Sequence, residues 1–260
     1  VNTTIETKQV VLWDYDNTLG ETEKVALENA RNLLNTWLGN KGVADGLLYE
    51  SASFQQEFVG TTFREIVSRA ARRFGISVTE AELTELAYRE RAEVIPVLAR
   101  ECKEMPYAID ALTELKAVGI KNIVVSSSHP DRLEACMYAA GQRQLISDVF
   151  SVQDPKSPTE PKPHPDIYLK AARELSIPHS KCIAVEDSVA GVTAAAGAGI
   201  DTLGFVGPYP QEQVTEMRTK LFAAGARWVI SKLSEVPYIV RLLNSNQPDV
   251  VDRIYGQNIR

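Results

Sequence analysis

Six short apolar runs recur along the chain, at residues 10–13, 123–125, 149–152, 182–185, 202–206 and 228–230. A continuous run of this length, bounded by turn residues, has the dimensions of a buried strand. Between the runs lie helical patterns at 131–140, 166–175, 188–198, 211–223 and 233–243. Strands alternating with helices of this length predict an α/β fold: a mostly parallel sheet with helices on both faces. With 260 residues, 44% of them hydrophobic, the chain can bury a sizeable core.

One interval breaks the alternation. From residue 21 to residue 103 the pattern is almost wholly helical, with Ile66, Val67, Ala70 and Phe74 at helix spacing and a capping box at Thr79 and Glu82. It reads as a helical insert between the first strand and the rest of the sheet domain, with crossings at 18–22 and 102–108. Residues 154–166 hold five prolines, too many for a helix or central strand, and are expected to form a loop. The tail after Asn244 is polar and is expected to be loosely held.

In an open parallel sheet, ligands bind at the carboxyl ends of the strands. The polar residues there are Asp14, Asp16 and Thr18 after the first run, Ser126, Ser127 and Ser128 after the second, and Glu186 and Asp187 after the run at 182. The proline-rich loop adds Lys162. Four carboxylates gathered at one edge repel one another unless a cation balances them. Oxygen donors without a histidine or cysteine cluster suit a hard divalent ion, magnesium rather than zinc. A serine hydroxyl, a lysine ammonium and free backbone amides at a strand-to-helix turn suit a phosphoryl group, and Asp14 can then be the nucleophile.

The motifs are "DYDNT" at 14–18, "IVVSSS" at 123–128, "PKPHPDIYLKAA" at 161–172 and "CIAVEDSVAG" at 182–191. In type and order they match the haloacid dehalogenase (HAD) superfamily. The chain resembles its capped subfamily I, the phosphatase and β-phosphoglucomutase-like branch, in which a helical cap follows the first strand. The resemblance implies a Rossmann-like core of residues 1–20 and 104–260 and a cap of residues 21–103. It implies that Asp14 attacks phosphorus to form an aspartyl phosphate, while Asp16 protonates the leaving oxygen and then deprotonates the attacking water. Mg2+ would be held by Asp14, the backbone carbonyl of Asp16, Asp187 and Glu186, and the phosphate by Ser126, Ser127 and Lys162. A metal-bound Asp14 stays ionised, whereas Asp16, beside that charge, is suited to carrying a proton.

Within the superfamily, dehalogenases lack an acid/base aspartate at the position of Asp16, and phosphonate-cleaving relatives usually have a small residue there. An oxygen-linked phosphoryl group is therefore the expected substrate. A sugar-phosphate mutase of the β-phosphoglucomutase type is the alternative. Such mutases carry a histidine where this chain has Ala26, and an arginine three residues after a cap glycine; after Gly60 that position is Phe63, followed by Arg64. Both departures favour a phosphatase, with Arg64 and its neighbours from Gly60 onward expected to select the substrate. A noncatalytic phosphate-binding protein is disfavoured by the intact Asp14, Asp16, Lys162 and Asp187. Asn17 and Tyr107 stand where relatives often have glycine.

The net charge of −6 argues against a nucleic-acid partner, which needs a basic stripe. No segment approaches a transmembrane helix, the start of the chain lacks an apolar signal core, and the three cysteines are widely spaced without a C-x-x-C pair. These features lead to the expectation of a cytoplasmic enzyme acting on a small phosphorylated metabolite, with no membrane partner. Monomer and homodimer are left open.

Overall fold

The computed structural model describes residues 7–58, 61–245 and 247–257. Gly60, named above as the start of the substrate-selecting stretch, lies outside them. The chain divides into two compact units, Val1–Gly20 with Glu104–Arg260, and Glu21–Lys103.

Strand β1 (Val10–Trp13) opens the first unit, and the short β2 (Gly20–Glu21) follows a tight turn. Between its strand residues at either end, the second unit is built from helices: α1 (Glu23–Asn40), α2 (Ser51–Phe58), α3 (Phe63–Arg73) and α4 (Glu80–Glu101). Leu27, Ala30, Leu34, Trp37 and Leu38 form the buried stripe of α1, at the spacing that keeps one helix face apolar. Ile66, Val67 and Ala70 do the same for α3. Tyr49 meets Phe54, Phe58 and Phe74 edge-on, with ring centroids 5.6, 5.5 and 6.2 Å away. The capping box is formed: the Thr79 N–H donates to Glu82 Oε2 at 3.0 Å and the Glu82 N–H to Thr79 Oγ1 at 3.2 Å.

After β3 (Lys103–Glu104), which pairs with β2 in a two-stranded sheet, the alternation resumes. Its elements are α5 (Ala108–Ala117), β4 (Lys121–Ser126), α6 (Pro130–Ala139), β5 (Asp148–Ser151) and α7 (Asp166–Glu174). They continue as β6 (Cys182–Glu186), α8 (Val189–Gly197), β7 (Asp201–Phe205), α9 (Gln211–Ala223), β8 (Trp228–Ile230) and α10 (Glu235–Asn244). The six long strands form one parallel sheet in the order β5-β4-β1-β6-β7-β8. Side chains alternate along β1. Val10 and Leu12 enter a core shared with Ile167, Tyr168 and Ala171 of α7 and with Ala194 and Ala195 of α8. On the opposite face the Trp13 indole N–H donates to Asn122 Oδ1 at 3.1 Å.

The polar tail is not loose: α11 (Pro248–Tyr255) forms, buries Val251, and offers Asp252 Oδ1 to the indole N–H of Trp228 at 2.7 Å. A single anchoring valine and one tryptophan contact are too few to register as apolar periodicity. At the amino edge of the sheet the buried Lys8 ammonium donates to Asp201 Oδ2 at 2.7 Å and to the carbonyls of Ser180 and Cys182 at 2.7 and 2.9 Å. Among the described residues no helix is long and apolar enough to cross a membrane.

Candidate active site

Strand order reverses at β1: the chain builds outward through β4 and β5 on one side, then through β6, β7 and β8 on the other. A crevice opens at the carboxyl ends of strands around such a switch point. Trp13 is in register with Val124 of β4 and Val185 of β6, so the residues just past these pairs share one edge. The Asp14 N–H continues the ladder to the Val185 carbonyl at 3.0 Å, fixing the nucleophile candidate by backbone pairing.

Lys162 joins the two strand ends. Its ammonium donates to Asp14 Oδ1 at 2.7 Å, to Glu186 Oε1 at 2.6 Å and to the Val125 carbonyl at 2.9 Å. Its side chain is only 6% exposed, so the lysine of the proline-rich loop is not a solvated one. Lys170 of α7 secures that loop by donating to the Ser157 carbonyl at 2.7 Å. The Tyr168 hydroxyl also donates to Glu186 Oε1. Glu186 Oε2 is buried with no hydrogen-bond partner, and a Cβ on Gly191 would stand 1.8 Å from it. Glycine at 191 is thus what leaves room for the carboxylate.

Asp187 completes the cluster: ligand atoms of Asp14, Glu186 and Asp187 lie within 4.8 Å of one another, all in buried residues. The Tyr209 hydroxyl donates to the Asp187 carbonyl at 3.1 Å. Burial pushes the Asp14 carboxyl up to about 7, against the pull of Lys162 and with Glu186 and Asp16 adding to the rise. Burial also disfavours the Lys162 charge, yet Asp14 and Glu186 together hold its pKa above the usual lysine value. Three carboxyl groups face one ammonium here, so acidic groups outnumber basic ones. An all-oxygen donor set of this kind, with one buried carboxylate oxygen unpartnered, fits a hard divalent cation.

Asp16 lies outside that carboxylate cluster. In an extended run residues i and i+2 share a face, and the intervening Tyr15 is fully buried. The Tyr15 carbonyl accepts the N–H groups of Thr18, Leu19 and Gly20, closing the turn that carries Asp16. Asp16 Oδ2 accepts from Ser128 Oγ at 2.6 Å and Oδ1 from Arg132 Nη2 at 2.8 Å.

Ser126 is fully buried, and its Oγ accepts the Ser128 N–H at 3.0 Å. It is not the cap of the next helix; His129 is, accepting the Asp131 N–H. Ser127 is exposed, with its carbonyl accepting from Gln153 Nε2 at 2.7 Å. Arg64 belongs to the helical unit, where it bonds to Glu80 and Thr84. The first unit therefore gathers Asp14, Lys162, Glu186 and Asp187 around one point, with Asp16 beside Ser128 and Arg132. Sequence reasoning had not singled out Tyr168, Gly191 or Arg132. A buried phenol needs a polar partner, but burial is visible only in the folded chain.

A sequence model of the haloacid dehalogenase-like hydrolases matches residues 8–199. The chain is 33% identical over 146 residues to a probable pseudouridine-5'-phosphatase of Drosophila melanogaster, covering 54% of this chain and 62% of the relative. It is 32% identical over 130 residues to the β-phosphoglucomutase of Bacillus subtilis, covering 48% and 54%. The crystal structure of CbbY from Rhodobacter sphaeroides in complex with phosphate superposes with a TM-score of 0.68 at 25% identity, over 88% of this chain and 96% of that one.

Proposed function

The chain belongs to the haloacid dehalogenase-like hydrolases, and from that premise we propose that it is a magnesium-dependent phosphatase of a small phosphorylated metabolite. The observation that carries this reading is the buried Lys162 bridge between Asp14 and Glu186, with Asp187 alongside, at the switch point of the sheet.

Asp14 is the nucleophile. One of its carboxylate oxygens attacks phosphorus, the ester P–O bond breaks, and the proton on Asp16 goes to the departing oxygen. In the second half Asp16, now a carboxylate, takes a proton from water as its oxygen attacks phosphorus. The Asp14–phosphorus linkage breaks and inorganic phosphate leaves. Lys162 holds Asp14 and neutralises oxygens of the transferring group, and Ser126 with the Ser127 backbone is assigned to the same oxygens. Mg2+, held by Asp14, Glu186, Asp187 and the Asp16 carbonyl, would supply charge neutralisation to the phosphoryl group. The helical unit, residues 21–103, is assigned as the cap, with Arg64 as its substrate-reading residue.

The likeness to β-phosphoglucomutase supports a second reading, a sugar-phosphate mutase. Ala26 and Phe63, standing where such mutases carry histidine and arginine, weigh against it. Incubation with a panel of phosphorylated metabolites and Mg2+, scoring both free phosphate and isomerised product, separates the two. Phosphate release is expected, falling at least 1,000-fold on chelation and in Asp14→Asn. Isomer without phosphate would establish the mutase, and turnover surviving Asp14→Asn would refute the nucleophile.

A further inference from the structure

We infer that Arg132 is a positioning residue that sets the plane of the Asp16 carboxylate for proton transfer. The inference rests on the acid/base assignment of Asp16 proposed above.

The terminal torsion of an aspartate is broad, so nothing in the chain itself holds the carboxylate in one plane. Here each oxygen has its own donor: Ser128 Oγ at 2.6 Å on Oδ2 and Arg132 Nη2 at 2.8 Å on Oδ1. Two bonds to two oxygens remove the rotation. The donors are themselves fixed. Ser128 gives its N–H to Ser126 Oγ at 3.0 Å, and its carbonyl accepts from Ser151 Oγ at 2.7 Å. Arg132 stands in the first turn of α6, two residues after Pro130 and three after the His129 cap, and its side chain is 18% exposed.

Helix stability does not account for this arginine. A cation in the first turn opposes the helix dipole, and acidic residues are favoured there. The placement makes sense through Asp16, 116 residues away in sequence, which receives the charge-assisted bond.

The test compares kcat/KM for an alkyl phosphate monoester and for p-nitrophenyl phosphate in wild type, Arg132→Gln, Arg132→Lys, Asp16→Asn and the Arg132→Gln/Asp16→Asn double variant. Nitrophenolate departs without a proton, so only the alkyl ester needs a correctly placed acid in the step that kcat/KM reports. Arg132→Gln is expected to lower the alkyl-ester value about 10- to 100-fold, within the span general acid catalysis supplies, and the aryl value several-fold less. Arg132→Lys should recover part of the loss. In the Asp16→Asn background the Arg132 change should add little, because the group it positions is gone. Equal losses on both esters, no loss, or a fully additive double variant would overturn the inference. Should Arg132→Gln fail to fold by thermal melt, Ser128→Ala removes the other bond and must show the same ester selectivity, or the inference fails. A wild type that hydrolyses neither ester would overturn the proposed function together with the inference; hydrolysis of the alkyl ester by wild type with an indifferent Arg132→Gln would overturn the inference alone.

Discussion

Glu186 is fully buried, and its neighbours decide what its carboxylate can do. Oε1 is shared between Lys162 and Tyr168, while Oε2 fills the space that Gly191 leaves open. Burial, with Glu186 close by, holds the Tyr168 hydroxyl well above its ordinary pKa, so the phenol stays a donor across the physiological range. Tyr168→Phe removes that donor from a buried carboxylate and is expected to cost about 1–3 kcal/mol. A denaturant titration would read this as a lower midpoint, and an isothermal titration with Mg2+ should show weakened binding in the same variant. The carboxylates and Lys162 were legible because strand ends and motif spacing point to them. Tyr168 was not, since it sits in the apolar stripe of Ile167, Ala171 and Ala172 and reads as core. Arg132 reads as a solvated helix residue until the fold brings Asp16 to it.

Among the described residues, three turns hold residues other than glycine in the left-handed region: Asn17 at φ 60° after β1, Tyr107 at φ 69° before α5 and Ser176 at φ 54° after α7. Asparagine visits this region at modest cost, whereas a bulky ring there is strained. Tyr107→Asn is therefore expected to stabilise the protein by about 1 kcal/mol, seen as a higher melting temperature. A fall in stability would mean that the half-exposed ring makes compensating contacts. Element boundaries show where sequence periodicity stops being informative. Strand β4 begins at Lys121, ahead of the apolar run at 123, because Asn122 is buried within the ladder and satisfied by Trp13 and by the Leu112 carbonyl at 2.8 Å. A polar side chain that finds buried partners leaves no trace in an apolar pattern. Strands β1 and β8 fell where the runs predicted them, since every residue of both is buried.

Across the whole α/β unit, the two ends of the sheet carry opposite assignments. At the amino end Lys8 ties the start of β1 to β6 and β7 through Asp201, which Arg227 also contacts at 3.0 Å. Burial works against the Asp201 charge, but Lys8 and Arg227 hold its carboxyl below the usual aspartate range. A depressed folded pKa contributes stability above the unfolded value, roughly pH 4, that is lost as pH falls through the folded one. Asp201→Asn should therefore lower stability at neutral pH by on the order of 1–3 kcal/mol and flatten its acid dependence below about pH 4. Urea melts between pH 2 and 7 would measure both, and an unchanged acid slope would assign it to other carboxylates. At the carboxyl end, the ladder that carries Asp14 has paired strands on both flanks, whereas Asp16 rides a turn closed by three bonds to the Tyr15 carbonyl and one from the Asn17 N–H to the Gly20 carbonyl. Backbone in mid-sheet opens only when much of the domain does, while turns fluctuate far more readily. The two aspartates thus depend on different supports: strand pairing holds Asp14, while the Asp16 carboxylate is held by the side chains of Ser128 and Arg132, so losing either side chain would loosen the second carboxylate and leave the first in place.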